Sequence, residues 1–139
     1  MASANVELVR SIYADWERGD FSSAEWADPE IEVVIADGPA PGTWTGRAGM
    51  AQSHREFLSA YDGLRMAADE YRELDNERVL VLVHIEGRGK TSGLDLGQIV
   101  SDRQAADLFH VRDGQVTRLV VYYDTNHALA DLGIAPEVD

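Results

Sequence analysis

The sequence predicts an α+β domain, with long helices packed against a curved antiparallel sheet. Three observations predict it. Apolar residues recur at helical spacing over residues 3–18 and 47–61. From residue 64 to 123 the pattern changes to strand-like runs. Asp113-Gly114 divides the last two of those runs, and Asp-Gly is a strong hairpin signal. Helices grouped on one side of an antiparallel sheet define this class.

The elements follow in order. Ser3 or Asn5 can cap the first helix, whose stripe is Val6, Val9, Tyr13 and Trp16 with Leu8 and Ile12 beside it. Gly19-Asp20 stops it. A short helical turn over Ser22 to Ala27 follows, anchored by Phe21 and Trp26 and broken by Asp28-Pro29. Ile31, Val33 and Ile35 alternate as in a strand. "ADGPAPGTWTG" is turn-rich, with Thr43 to Thr45 a short extended piece. The second long helix presents Met50, His54, Phe57 and Tyr61 on one stripe.

"LRMAADEYREL" reads as a partly polar strand. In "ERVLVLVHIEGRG", apolar residues run from Val79 to Ile85, broken only by His84, which predicts burial on both faces. Gly87, Gly89 and Gly93 permit bending after it. Residues 105–112 and 115–123 form the hairpin. "DTNHALADLGIAP" is a short terminal helix, with Asp124 or Thr125 as N-cap, Gly133 past its end and Pro136 preventing continuation. A sheet curled around the two long helices makes a cone with an apolar interior, where a ligand would sit.

The 139 residues suit one domain spanning 1–139, which can bury ~68% of its unfolded surface. No cysteine is present, so disulfides, zinc-thiolate sites and thiol nucleophiles are excluded; a reducing, cytoplasmic setting fits. No signal-peptide pattern and no apolar run of membrane-spanning length is seen, so no membrane association is expected. The formal charge of −13 is spread along the chain, which disfavours nucleic acid and other polyanions. A neutral, apolar or cationic small molecule is the more natural partner.

Two residues carry the candidate chemistry. Strand parity puts Asp107 with Phe109 and Val111 on the apolar side of its strand. A carboxylate there is costly unless it is paired, protonated or used. The structural alternative is a bond to a backbone amide or an arginine. His54 lies one turn after Met50 on the helix stripe that faces the cone, where it could move a proton near neutral pH. Its alternative is a core histidine bonded to a carbonyl. Tyr13, Trp16, Trp26, Trp44, Phe109 and Tyr123 are the aromatics expected to line or floor the cone, with all but Trp26 taken as ligand-binding. His84, Glu86 and His110 share the outer face by parity, but read as surface rather than as metal ligands. "GRGKTSG" is followed by no helix and makes a poor phosphate loop. No metal or cofactor is expected.

Five fragments together carry a family resemblance: "VELVRSIYADWERGDF", "WADPEIEVV", "GTWTGRAGM", "ERVLVLVHIEGRGKTSG" and "VRDGQVTRLVVYYDTNHALADLGI". In their order and spacing the chain resembles SnoaL-like members of the nuclear transport factor 2-like, ketosteroid isomerase-like superfamily. The resemblance implies a cone-shaped, cystatin-like α+β barrel, a homodimer, and a pocket for a small apolar or carbonyl-containing ligand. It implies proton-transfer chemistry of isomerase, cyclase or dehydratase type, or else a non-catalytic binding or dimerisation module. Fold alone does not choose between them.

Residue by residue, Asp107 resembles the protonated aspartate of the ketosteroid isomerase oxyanion hole. On that model Asp107 polarises a carbonyl oxygen and His54 moves the proton, in the sharpest form as a pair across the pocket. The isomerase base would fall at Val34, where no acid stands; Glu32 and Asp37 are the nearest. The Asp-Arg-Asp trio of limonene epoxide hydrolase would fall at Val83, Ile85 and Val121, all apolar. Asp124 with His54 or His110 matches the polyketide cyclases by residue type only.

Overall fold

A computed structural model describes residues 3–22, 24–37, 41–89 and 104–133. The order is α1 (Ala4–Glu17), β1 (Ala27–Ile35), β2 (Gly42–Thr45), α2 (Gly46–Ala60), β3 (Tyr61–Glu73), β4 (Arg78–Gly89), β5 (Gln104–Arg112), β6 (Gln115–Tyr122) and α3 (Thr125–Leu132). The six strands form one curled, open sheet in the order β2-β1-β6-β5-β4-β3. Gly93 and Pro136 lie outside the described residues.

Local signals account for most boundaries. Ser3 caps α1 by accepting from the Val6 amide. Asp124 caps α3 by accepting from the Asn126 amide, and Gly133 ends it in the left-handed region. Asp113 and Gly114 both have positive φ, as a type I′ hairpin turn requires.

Three expectations are corrected. The sheet is mixed rather than antiparallel, because β1 runs parallel to β6. Alternation along β1 shows which face is buried but not the direction of its neighbour. The helices do not all lie on one side. α1 and α2 pack on the inner face, while Ala128 and Leu129 of α3 cover Leu80, Leu108 and Val120 on the outer face. Those outer residues are as apolar as the inner ones, so that face also needs a cover. Finally, Asp28-Pro29 does not precede the strand but lies inside β1. A register shift between Ala27 and Glu32 accommodates it, in keeping with proline's tolerance near strand starts and bulges. The segment before β1 is a tight turn, closed by Ala27 N–H donating to Ala24 O at 3.0 Å.

β4 is buried on both faces from Val79 to Val83, while His84 is exposed. The main core, between α1, α2 and the inner face, includes Ile12, Tyr13, Ile31, Met50, Val81 and Phe109. Arg47 Nε donates to Ala27 O at 2.8 Å and ties α2 to β1. No described helix is long and apolar enough to cross a membrane.

Candidate functional site

The inner face lines a partly open cavity of about 80 Å³. α1 contributes Trp16, α2 contributes Ser53, His54 and Phe57, and the strands contribute Val33, Met66, Val83, Ala105, Asp107 and Leu119, among others. Phe21 and Tyr123 complete the aromatic part of the wall. Asp107 is the only carboxylate of that lining, and no lysine or arginine is among the described lining residues. The register of β5 explains its place: Asp107 stands opposite Val81 of β4 and Val121 of β6, in the middle of the sheet.

Asp107 is buried. Its Oδ2 accepts a hydrogen bond from the Tyr13 hydroxyl, the only donor to it among the described residues. Burial pushes the Asp107 carboxyl up to about 6, against the lowering effect of the Tyr13 bond. Burial and the neighbouring carboxylate hold the Tyr13 hydroxyl well above its ordinary value, so it stays a neutral donor. Tyr13 is fully buried, with its ring edge-on to Trp16, Tyr71 and Phe109. It stands behind Asp107 rather than on the cavity wall.

His54 meets the same cavity from α2. The rings of Trp16 and Phe21 pack edge-on to it, each with a centroid distance of 5.7 Å. Its Nδ1 is buried without a hydrogen-bond partner among the described residues. Leaving such an atom unpaired costs about 1–3 kcal/mol. Burial lowers its pKa to about 4, so the ring is neutral at pH 7. No direct bond joins His54 to Asp107; the aspartate's hydrogen bond goes to Tyr13 instead.

The remaining candidates are distributed as follows. Trp16 and Tyr123 line the cavity. Phe109 is fully buried in the core beneath it, and Trp44 packs half-buried at the core's edge; neither is on the cavity wall. Val34 faces the outer core, so the position matching the isomerase base does not reach the cavity. Glu32 pairs with Arg118 at 3.0 Å on the sheet surface. Asp37 accepts from the Tyr123 amide and contacts His127 at 2.7 Å. Val83, Ile85 and Val121, which match the epoxide hydrolase trio, all line the cavity and are all apolar. That hydrolytic chemistry therefore lacks its groups where its site would be.

On the outer face, His84 stands opposite Gln104 and His110 opposite Arg78. The two imidazoles are thus about 20 Å apart along the strands, too far to share an ion. No group of three metal-ligating side chains occurs among the described residues. Sequence reasoning missed the Tyr13–Asp107 bond and the cavity roles of Ser53 and Met66. Helical spacing put Tyr13 on the apolar stripe, but only the fold brings it to a residue 94 positions away.

The family model for the SnoaL-like domain matches residues 9–119. The chain belongs to the SnoaL-like domain family. Among solved structures, TerC co-crystallised with polyporic acid is 24% identical with a TM-score of 0.71, the match covering 94% of this chain and 98% of that one. An NTF2-like protein of unknown function from Burkholderia pseudomallei is 20% identical with a TM-score of 0.74, covering 93% and 97%. A protein with a ketosteroid isomerase-like fold from Catenulispora acidiphila, in complex with trimethylamine, is 16% identical with a TM-score of 0.67, covering 93% and 94%. A search of curated proteins gives no match. These solved structures share the α+β fold of this chain, described for two of them as NTF2-like and ketosteroid isomerase-like; at such identities the likeness carries the fold and no particular activity.

Proposed function

We propose that the SnoaL-like cavity binds a compact carbonyl compound and moves a proton on it. One observation carries this reading: Asp107 and His54 meet an otherwise mainly apolar cavity, with Tyr13 bonded to Asp107 from behind. The sequence model gives Asp107 the oxygen and His54 the proton. The ionisation states favour the exchange of those roles at neutral pH. With a pKa of about 6, Asp107 is mostly a carboxylate, while His54 is a neutral imidazole. Asp107 then removes the proton from the carbon next to the carbonyl, and the C–H electron pair enters the enolate. The neutral imidazole N–H donates to the oxygen as charge develops there. Asp107 returns its proton to the same or a conjugated carbon, and Tyr13 keeps its own throughout.

The volume constrains the ligand. A cavity of about 80 Å³ is smaller than the ~150 Å³ cavity known to hold benzene. It suits a small molecule rather than a steroid or a multi-ring polyketide. The reading also includes a homodimer, as the family resemblance implies, and a cytoplasmic setting, which the absence of cysteine fits; sedimentation equilibrium would test the dimer.

The test is deuterium exchange at the α-carbon of a compact ketone such as acetone, followed by NMR. The expected rate rises with pH through about 6, the range in which Asp107 ionises. A rate that falls through that range would restore Asp107 as the acid. Tyr13→Phe removes the bond that lowers the carboxyl pKa, so the rising limb moves to higher pH while KM stays near its original value. If the ketone binds but exchange never exceeds that of buffer, the cavity is a binding module without catalysis.

A further inference from the structure

We infer that this cavity selects ligands by charge, taking a compact alkylammonium cation ahead of a neutral molecule of equal size and rejecting an anion. The inference rests on the cavity being a ligand site, and it narrows the substrate class. Carbonyl compounds that are neutral or carry an amine fit, and keto acids do not.

Four features support it. First, Asp107 is a buried carboxylate whose one hydrogen bond comes from a neutral hydroxyl. No cationic side chain among the described residues neutralises it. A buried charge without a counter-charge is the costly arrangement, and an incoming ammonium N–H donating to Asp107 corrects it. The aspartate is already desolvated in the folded chain, so only the ligand's own desolvation remains to be offset. Second, Trp16, Phe21, Phe57 and Tyr123 line the same space, and aromatic faces attract organic cations. Third, His54 adds no positive charge, because burial keeps it neutral at pH 7. Fourth, the formal charge of −13 favours the approach of cations, subject to screening by salt.

The groups facing Asp107 leave little else to answer the charge. α1 supplies the Tyr13 hydroxyl, α2 supplies Ser53 and His54, and the flanking strands supply Val81 and Val121. The Ser53 hydroxyl already donates to Met50 O at 2.9 Å. Among these groups only Asp107 changes charge between pH 5 and 8, with its pKa of about 6. Cation affinity should therefore fall as pH drops through that range.

Isopropylammonium, 2-propanol and acetate have equal numbers of heavy atoms and differ in charge. Each is titrated into the intact protein while the His54 ring and Trp16 indole signals are followed by NMR. At pH 7.5, isopropylammonium should bind about tenfold more tightly than 2-propanol, and acetate should not bind. Lowering the pH to 5 should remove most of that advantage and leave 2-propanol unaffected. Asp107→Asn should erase the advantage at every pH; the pH series on the unaltered chain decides the question should that variant fold poorly. Equal binding of the alcohol and the cation overturns charge selection but leaves the cavity as a ligand site. Tighter binding of acetate overturns it as well. Silence from all three probes overturns this inference together with the cavity reading beneath it.

Discussion

The two faces of the same sheet are built to different standards. β5 contributes to both: Ala105, Asp107, Phe109 and Val111 point inward, while Ala106 and Leu108 point outward. The outer core is apolar throughout, with Leu80, Leu108, Val120 and Leu129 meeting under α3. Among the polar groups at its margin, His127 is paired with Asp37 and Asp131. The inner face instead carries a desolvated carboxylate and an imidazole nitrogen with no partner among the described residues, and it lines the cavity. Nothing in the fold requires that difference, since either face could have been closed with aliphatic residues. Stability has been surrendered on the face that holds the cavity, a pattern expected of a functional site.

Truncation should give the largest effect, on the outer face. Leu108→Ala removes a buried side chain from a packed, purely apolar cluster and should cost about 2–5 kcal/mol in urea unfolding. Ligand binding by the remaining folded protein should be unchanged. A cost below 1 kcal/mol would mean that the outer core is less tightly packed than its burial implies.

The inner face should respond in the opposite sense. Asp107→Asn keeps the shape and can still accept from Tyr13, but removes the ionisable group. The folded state raises the carboxyl from 3.8 to about 6, so it holds the proton more tightly than the unfolded chain does. The penalty for ionising Asp107 is therefore absent below about 3.8 and complete above about 6. The variant should be more stable than the original chain by up to about 3 kcal/mol at pH 8, with the gain disappearing towards pH 4. His54 works the other way. Its pKa falls from 6.5 to about 4 on folding, so its penalty is absent above 6.5 and complete below 4. Measurement at pH 8 isolates Asp107, because His54 is neutral there in both states. Loss of stability at pH 8 would show that the carboxylate is satisfied in place, and would remove the contrast between the faces.

The fold was largely legible because its signals are local. Caps at Ser3 and Asp124, the Asp113-Gly114 turn and the apolar run of β4 each depend on neighbouring residues. The parallel pairing of β1 with β6 was not legible, since pairing direction depends on residues about 85 positions apart. The same limit applies to the site. Parity placed Asp107 on the inner face, and helical spacing placed His54 toward the cone. Neither pattern could show that Tyr13 reaches Asp107, or that Val34 belongs to the outer core. Trp44 and Phe109 illustrate a further limit: large aromatics mark a core, but only three-dimensional packing decides which of them reach the cavity.

The smallest expected effect sharpens the contrast through its pH dependence. His127 Nδ1 lies 2.7 Å from Asp37 and its Nε2 3.4 Å from Asp131, while the Tyr122 hydroxyl donates to Asp131 at 3.2 Å. The hydrogen bond to Asp37 raises the His127 pKa above 6.5, but the side chain is 39% exposed, so solvent screens the pair. His127→Ala should therefore cost only about 0.2–1 kcal/mol. A raised histidine stabilises the folded state fully below its unfolded pKa and loses that contribution as pH rises through the folded value. The cost of His127→Ala should thus be greatest near pH 5 and shrink by pH 8, where the gain from Asp107→Asn is largest. Relative to the original chain both variants should therefore rise in stability with pH, His127→Ala from a small loss to near parity and Asp107→Asn from parity to a gain, as read by urea midpoints. A cost for His127→Ala that does not change with pH would reduce the outer margin to packing against the Tyr122 ring, whose centroid lies 5.2 Å away.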